Sequence, residues 1–214
     1  MKFANPRVAA VFEVYRQREA TDHERMKHLG PAALAVRDEF LLPIGAEVGA
    51  VLHALVLARR PGTILELGTS YGYSTLILAD AAKMVGARVI SMDLADYKQD
   101  FARARLEQAG LDSIVDLRCG DAIALLAADP GPFDFVLLDI WKDLYSPCLE
   151  AFYPKLAEEA LIAADNLIDP PSAREEMRAY RAAVADLTDL KSILLPIGQG
   201  LELSVKWSAG NPKL

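Results

Sequence analysis

From Thr63 onward, short apolar runs alternate with longer stretches in which apolar residues recur every three or four positions. The first kind suits strands and the second suits helices. TILEL (63–67) predicts a strand and YSTLILADAAKM (73–84) a helix. RVISMDL (88–94) predicts the next strand, and YKQDFARARLEQAG (97–110) a helix closed by Gly110. IVDLRC, DAIALLAAD and FDFVLLD continue the alternation to residue 139. The segment from Tyr145 to Leu156 predicts another helix, bounded by Pro147 and Pro154. ALIAAD (160–165) is a fifth strand and SAREEMRAYRAAVADL (172–187) a fifth helix. LKSILLPI (190–197) and GLELSVKW (200–207) are joined by a Gly-rich turn with no room for a helix, so they predict an antiparallel hairpin.

Five β-α units and a hairpin imply an α/β fold: a doubly wound, seven-stranded, mostly parallel sheet with helices on both faces. Residues 135–138 and 161–164 are apolar throughout, as strands covered on both faces should be. Residues 1–60 read as a helical N-terminal extension to a core at 61–214, one domain in all. Within the extension RQREATDHERMKH (16–28) is charged and solvated, whereas GAEVGAVLHALVLARR (45–60) is apolar enough to pack on the sheet.

Ligands of such sheets bind beyond the carboxyl ends of the strands. There the chain reads LELGTSYGYSTL (65–76). A dinucleotide fingerprint needs G-x-G-x-x-G, but Ser70 and Tyr73 stand at the second and third glycine positions, and no Gly-Lys-Ser/Thr follows. What remains is Glu66 beside a glycine turn, and Asp93 at the end of the next strand. A carboxylate repels a diphosphate but suits an ammonium or sulfonium, and an acid after the second strand can accept both ribose hydroxyls. S-adenosylmethionine (SAM) carries both features. Glu66 as a helix cap and Asp93 as a solvated strand end stay open on these residues alone.

The fourth strand ends in Asp139 and the fifth in Asp165-Asn166. Neighbouring strands lie about 4.8 Å apart, so these side chains can converge. They are hard oxygen ligands suited to Mg²⁺, with no His or Cys beside them. A turn started by Asp165-Asn166 accounts for them equally simply. Lys142, beside such a cation, would have its charged form disfavoured and could serve as general base; a plain surface ion pair with Asp139 or Asp143 is the alternative. Asp121 suits a helix N-cap.

Composition narrows the field. The 214 residues are 52% hydrophobic and 25% charged, with a net charge of −7, which argues against nucleic acid as the partner. No apolar run approaches the roughly 20 residues of a membrane span, and the charged N-terminus does not read as a signal peptide. Cys119 and Cys148 lack metal-site spacing and suit reduced thiols of a cytoplasmic protein.

LELGTSYGYSTL, MDL, CGDA, LLDIWKDLY, AADN and LPIGQGLELS, in this order over about residues 40–207, resemble the cation-dependent O-methyltransferases. These are the catechol and caffeoyl-coenzyme A enzymes and their bacterial relatives, built on a Rossmann-like class I methyltransferase fold. D-x-W-K-D-x-Y (139–145) and the following A-D-N are the most specific pieces. The resemblance implies Asp139, Asp165 and Asn166 as ligands of Mg²⁺ (or Mn²⁺ or Ca²⁺) and Lys142 as base. It implies Glu66, Gly68, Thr69 and Ser74 around the methionine part of SAM, with Asp93 on the ribose and the backbone near Ala122 on the adenine. It also implies the backbone of Ile44 and Asp139 near SAM, and Trp141 against the adenine. The acceptor implied is a small phenolic with vicinal hydroxyls, and the assembly a homodimer. Departures from the pattern are Ile140 after the first metal Asp, no acid before the last hairpin, and Gly198-Gln199-Gly200 where relatives often read G-D-G. A metal-independent methyltransferase and a non-catalytic SAM-binding protein are the alternatives.

Overall fold

The computed structural model describes residues 1–207. Its seven strands are β1 (Thr63–Leu67), β2 (Arg88–Asp93), β3 (Val115–Cys119), β4 (Phe133–Leu138), β5 (Leu156–Ala164), β6 (Leu190–Leu195) and β7 (Leu201–Lys206). They form one sheet in the order β3-β2-β1-β4-β5-β7-β6. β1 to β5 run parallel, and β7 is antiparallel to both its neighbours. The expected sheet and hairpin are therefore present. The order reverses between β1 and β4, which is where a sheet of this kind opens a crevice for a ligand.

Helices cover both faces, as continuously apolar strands require. One face carries α1 (Pro6–Leu29), α2 (Gly45–Arg59), α3 (Tyr73–Val85) and α4 (Asp96–Ala109) over a core that includes Leu52, Ile64, Leu76 and Leu106. The other carries α5 (Ala122–Ala128), α6 (Tyr145–Phe152) and α7 (Arg174–Asp186) over Leu126, Phe152 and Tyr180. Gly110 closes α4 in the left-handed conformation, as read from the sequence. In α2 the apolar residues Val48, Leu52 and Val56 are buried within the single chain. They therefore give no argument for a homodimer.

Two local expectations need correction. β5 starts at Leu156, four residues before ALIAAD; its first part contains Glu159 at φ +60 and a register shift opposite β4, an irregularity that hid the strand from a period-two reading. Pro147 does not bound α6 but lies in its first turn, where a missing N–H costs no hydrogen bond.

α1 starts on an Asn5 cap with Pro6 behind it, and its second half is largely exposed, as its charges foretell. The chain then runs through a 3-10 segment, Gly30–Glu39, back toward the carboxyl edge of the sheet. Among the described residues no helix is long and apolar enough to cross a membrane.

Candidate active site

The parallel register brings the strand ends level. Leu67 pairs with Met92 and Leu138, and Leu138 with Ala164, so Asp139 and Asp165 each stand one residue past the ladder. Their N–H groups extend it, Asp139 to Leu67 O at 2.9 Å and Asp165 to Leu138 O at 3.1 Å. Gly68 turns the chain out of β1 at φ +103, and a Cβ there would lie 1.9 Å from Asp139 O. Only glycine lets the loops after β1 and β4 touch.

The β1 and β2 side of this edge is lined by acids that accept from hydroxyls and backbone N–H groups. Glu66 is fully buried; its Oε2 accepts the Thr75 hydroxyl at 2.6 Å and the Ser91 hydroxyl at 2.5 Å. Ser91 also pairs with Thr69 at 2.6 Å, and Gln99 Nε2 donates to Thr69 Oγ1 at 3.2 Å. Burial pushes the Glu66 carboxyl up to about 7, and the surrounding hydroxyls offset part of that rise. Its second oxygen, Oε1, is buried with no partner among the described residues. Asp93 accepts Ser70 N–H at 2.7 Å and Ala95 N–H at 2.9 Å, so its carboxylate pins the first loop to the second. Ser74 is buried in the first turn of α3. Asp121 caps α5 through Ala124 N–H, which places Ala122 as its first residue beside the β3 end.

The N-terminal extension closes over these loops. Tyr15 donates to Tyr71 O at 2.7 Å, and the Tyr71 hydroxyl reaches Asp38 O and Glu39 O at 3.2 and 3.3 Å. The Arg18 guanidinium lies 3.6 Å from the Tyr71 ring centre. Ile44 is buried at the start of α2. Trp141 is half exposed, its ring stacked under Arg37 at 4.1 Å.

The β4 and β5 side is charged and crowded. Lys142 Nζ lies 2.8 Å from Asn166 Oδ1, 2.5 Å from the Tyr145 hydroxyl, 3.2 Å from Ile140 O and 3.6 Å from Asp139 Oδ1. The Tyr145 hydroxyl is 2.9 Å from both Leu138 O and Asp165 O, and so ties the two strand ends together. Burial drives the Asp139 and Asp165 carboxyls up and the Lys142 ammonium down; for Asp165 the nearby Asp139 charge adds to the rise. All three groups are held against their charged forms.

Among the described residues no group of three or more His, Cys, Asp or Glu is arranged to hold a metal ion. The set here is two carboxylates and a carboxamide, the donor chemistry of a hard divalent cation. Asp165 Oδ1 is buried and has no hydrogen-bond partner among the described residues. Such an atom costs about 1–3 kcal/mol if left so, and a cation would satisfy it. On that observation the residues fit.

The structure thus gathers the sequence-selected residues along one edge, from Asp93 through Gly68 and Asp139 to Asp165. Sequence reasoning missed Thr75, Ser91, Gln99, Tyr145 and Gln199. Ser91, a hydroxyl inside an otherwise apolar strand, and Tyr145, inside D-x-W-K-D-x-Y, carried a readable signal. Gln99 finds its partners on other elements, Thr69 Oγ1 at 3.2 Å and Arg118 O at 2.9 Å, and carried none. Gln199 stood out as a departure from G-D-G, but nothing pointed to its pairing with Asn166, 33 residues earlier.

Comparison with known proteins follows the same edge. A family model described as a methyltransferase domain matches residues 65–167. The chain is 34% identical over 157 residues to the Mycobacterium tuberculosis protein named "Probable O-methyltransferase Rv1703c", across 67% of this chain and 66% of that one. It is 30% identical over 182 residues to the catechol O-methyltransferase of Mus musculus, across 81% of this chain and 68% of that one. The match to the first of these relatives spans just under two thirds of its length. Among solved structures, the O-methyltransferase TomG of Streptomyces achromogenes in complex with SAM matches with a TM-score of 0.71 and 25% identity, over 90% of this chain and 98% of that one.

Proposed function

The chain belongs to the family of catechol and caffeoyl-coenzyme A O-methyltransferases, and from that premise we propose that it methylates a hydroxyl of a small phenolic with vicinal hydroxyls, using SAM and a divalent cation. The observation that carries the reading is Lys142 Nζ, held 2.8 Å from Asn166 Oδ1 and 3.6 Å from Asp139 Oδ1 beside a buried, unpartnered Asp165 oxygen. The proposed base and the proposed ligand set thus lie beside the edge next to Gly68, which supports the reading.

In this reading Asp139, Asp165 and Asn166 hold the cation. Glu66, Gly68, Thr69, Ser74, Asp93 and the backbone at Ile44, Ala122 and Asp139 surround SAM, with Trp141 on its outer side. When bound, SAM supplies the methyl group and the cation supplies a Lewis acid that lowers the pKa of a phenolic hydroxyl. The chain does the rest. Lys142 accepts the hydroxyl proton at Nζ, a task that its burial favours by destabilising the ammonium. The Tyr145 hydroxyl, 2.5 Å away, helps hold that nitrogen in place. The acceptor oxygen would use the freed electron pair to bond the methyl carbon as the carbon–sulfur bond of SAM breaks, the broken bond's electron pair remaining on sulfur in the departing S-adenosylhomocysteine. Little else is asked of the protein than alignment and exclusion of water.

Transfer of a labelled methyl group from SAM should be measured over a panel of vicinal diphenols and their acyl thioesters. Transfer should stop in EDTA and return with Mg²⁺. Activity that survives EDTA overturns the cation's role; no transfer to any phenol overturns the acceptor class.

A further inference from the structure

The turn between β6 and β7 reaches the charged edge through a contact that the proposed reaction leaves without a purpose. Gln199 O accepts the N–H groups of Ile168 and Asp169 at 2.9 and 3.1 Å, and Gly200 O accepts Leu167 N–H at 2.8 Å. Gly200 sits at φ +96, where a Cβ would lie 2.7 Å from Ile168 N. On its other side Gly198 leaves 2.6 Å between a would-be Cβ and Val48 Cγ2. Backbone hydrogen bonds therefore fix the turn to the loop after β5, and Gly198 lets it pack closely on the Val48 side chain of α2.

Held there, Gln199 Oε1 lies 2.9 Å from Asn166 Nδ2. The opposite atom of the same carboxamide, Oδ1, takes Lys142 Nζ at 2.8 Å. Chemistry dictates which atom is which. Lys142 Nζ offers N–H groups here, as it does to Ile140 O at 3.2 Å, so the Asn166 atom facing it is the acceptor oxygen. The nitrogen then needs an acceptor, and Gln199 Oε1 supplies one. Asn166 has φ +58, a left-handed conformation that Asn tolerates better than most residues. Its side chain starts from an unusual direction and gains from an external guide.

We infer that Gln199 is a positioning residue: it holds the Asn166 carboxamide so that Oδ1, and not Nδ2, faces the cation-binding side of the edge. The inference rests on the proposed cation site and deepens it. A hard cation takes a carbonyl oxygen and is repelled by amide N–H groups, so a half-turn of this side chain would replace a ligand with two donors. Partners that orient a metal ligand without touching the metal matter in just this way. Glutamine also adds no charge. An Asp or Glu at this turn would offer an acceptor too, but would set a third carboxylate near Asp139 and Asp165.

The test uses three full-length variants, with Mn²⁺ as the probe and SAM present. Gln199→Leu keeps bulk and loses the acceptor, Gln199→Lys replaces it with donors, and Gln199→Glu retains it. Calorimetric Mn²⁺ affinity should fall about 10–100-fold in Gln199→Leu and Gln199→Lys, and should hold or rise in Gln199→Glu. SAM affinity should be unchanged in all three. In parallel, the Asn166 side-chain NH₂ resonances, assigned by ¹⁵N NMR, should be exchange-protected in the parent and lose that protection in Gln199→Leu. The NMR arm needs no metal. If the parent fails to bind Mn²⁺, the cation reading falls, while the resonances still decide whether Gln199 orients Asn166. Equal Mn²⁺ affinity in parent and Gln199→Leu, or unaltered Asn166 resonances in Gln199→Leu, overturns the inference.

Discussion

At the ends of β1 and β2 the acids are surrounded by hydroxyls and backbone N–H groups; one strand further on, at β4 and β5, they are surrounded by one another. Glu66 Oε2 and both Asp93 oxygens have close, uncharged donors supplied by the fold. Asp139 Oδ1 lies 3.6 Å from the Lys142 nitrogen and Asp165 is held near the same group, while one oxygen of Asp165, like one of Glu66, has no partner among the described residues. Two carboxyls and one amine lie close together in a buried setting that disfavours the charge on each. In the proposed function the first region would meet its ligand with most of its polar groups already oriented by the fold. The second is under tension that a cation and a proton acceptor would relieve. Losses in the first region should therefore appear as binding or stability, and losses in the second as rate.

The largest effect tests the rate side of that contrast. Lys142→Ala leaves Asp139, Asp165 and Asn166 in place and removes the proposed base. Turnover on a vicinal diphenol should fall about 10²–10⁴-fold, the usual weight of general-base catalysis. SAM affinity by calorimetry should hold, extra Mg²⁺ should not restore the rate, and higher pH should recover part of it as hydroxide takes over the proton. Turnover near the parental value would make Lys142 a structural counter-charge and erase the contrast.

The two regions also differ in how well the sequence discloses them. The strands were legible because apolar runs covered on both faces end abruptly in acids, as in FDFVLLD and ALIAAD. The edge residues followed from that, since a parallel sheet aligns its carboxyl ends whatever the helices do. The metal-ligand and base roles were one of two open readings of Asp139, Asp165, Asn166 and Lys142 until the resemblance favoured them. What stayed hidden was the set of partners chosen by tertiary packing. Nothing local to Tyr71 announces that Tyr15 will donate to its carbonyl, nor that residues 38 and 39 will lie over its hydroxyl. Nothing local to Gln199 announces Asn166, 33 residues earlier. The start of β5 was hidden differently, by a left-handed Glu159 that breaks the alternation.

A second measurement probes the stability side. The Glu66 carboxyl has a value near 4.5 when exposed and about 7 in the fold. The folded state therefore binds the proton more tightly, and between these values the protein loses stability as pH rises; above about 7 the loss is complete. A rise from 4.5 to about 7 corresponds to about 3 kcal/mol. Glu66→Gln does not titrate and keeps an oxygen for the Thr75 and Ser91 hydroxyls. Without SAM, the variant should melt about 6–12 °C above the parent at pH 8, and the gap should close toward pH 4–5. A difference that is constant with pH would mean that Glu66 ionises in the fold without cost, and that the first region is as well compensated as its hydrogen bonds suggest.

The smallest effect is expected at Asp93, and it sharpens the comparison most directly. Its carboxylate does two things: it receives Ser70 N–H and Ala95 N–H, and in the proposed function it accepts the ribose hydroxyls of SAM. Asp93→Ala removes a charged acceptor from both. Hydrogen bonds to a charged group are worth about 1.5–3 kcal/mol, so SAM affinity should drop about tenfold or more. The Ser70 N–H lies in a partly exposed loop and can turn to water, so the melting temperature should move less than in Glu66→Gln. At saturating SAM the turnover should stay near parental, because Lys142, Asp139 and Asp165 are untouched. KM for SAM thus rises while kcat holds, the reverse of the pattern expected for Lys142→Ala. If kcat falls with Asp93→Ala as steeply as with Lys142→Ala, the loop pinned by Asp93 aligns the reacting groups as well as binding the donor. The two regions would then act as one device joined through the contact between Gly68 and Asp139 O. Unchanged SAM affinity in a folded Asp93→Ala protein would remove Asp93 from the binding site and leave it the structural task of holding the two loops together.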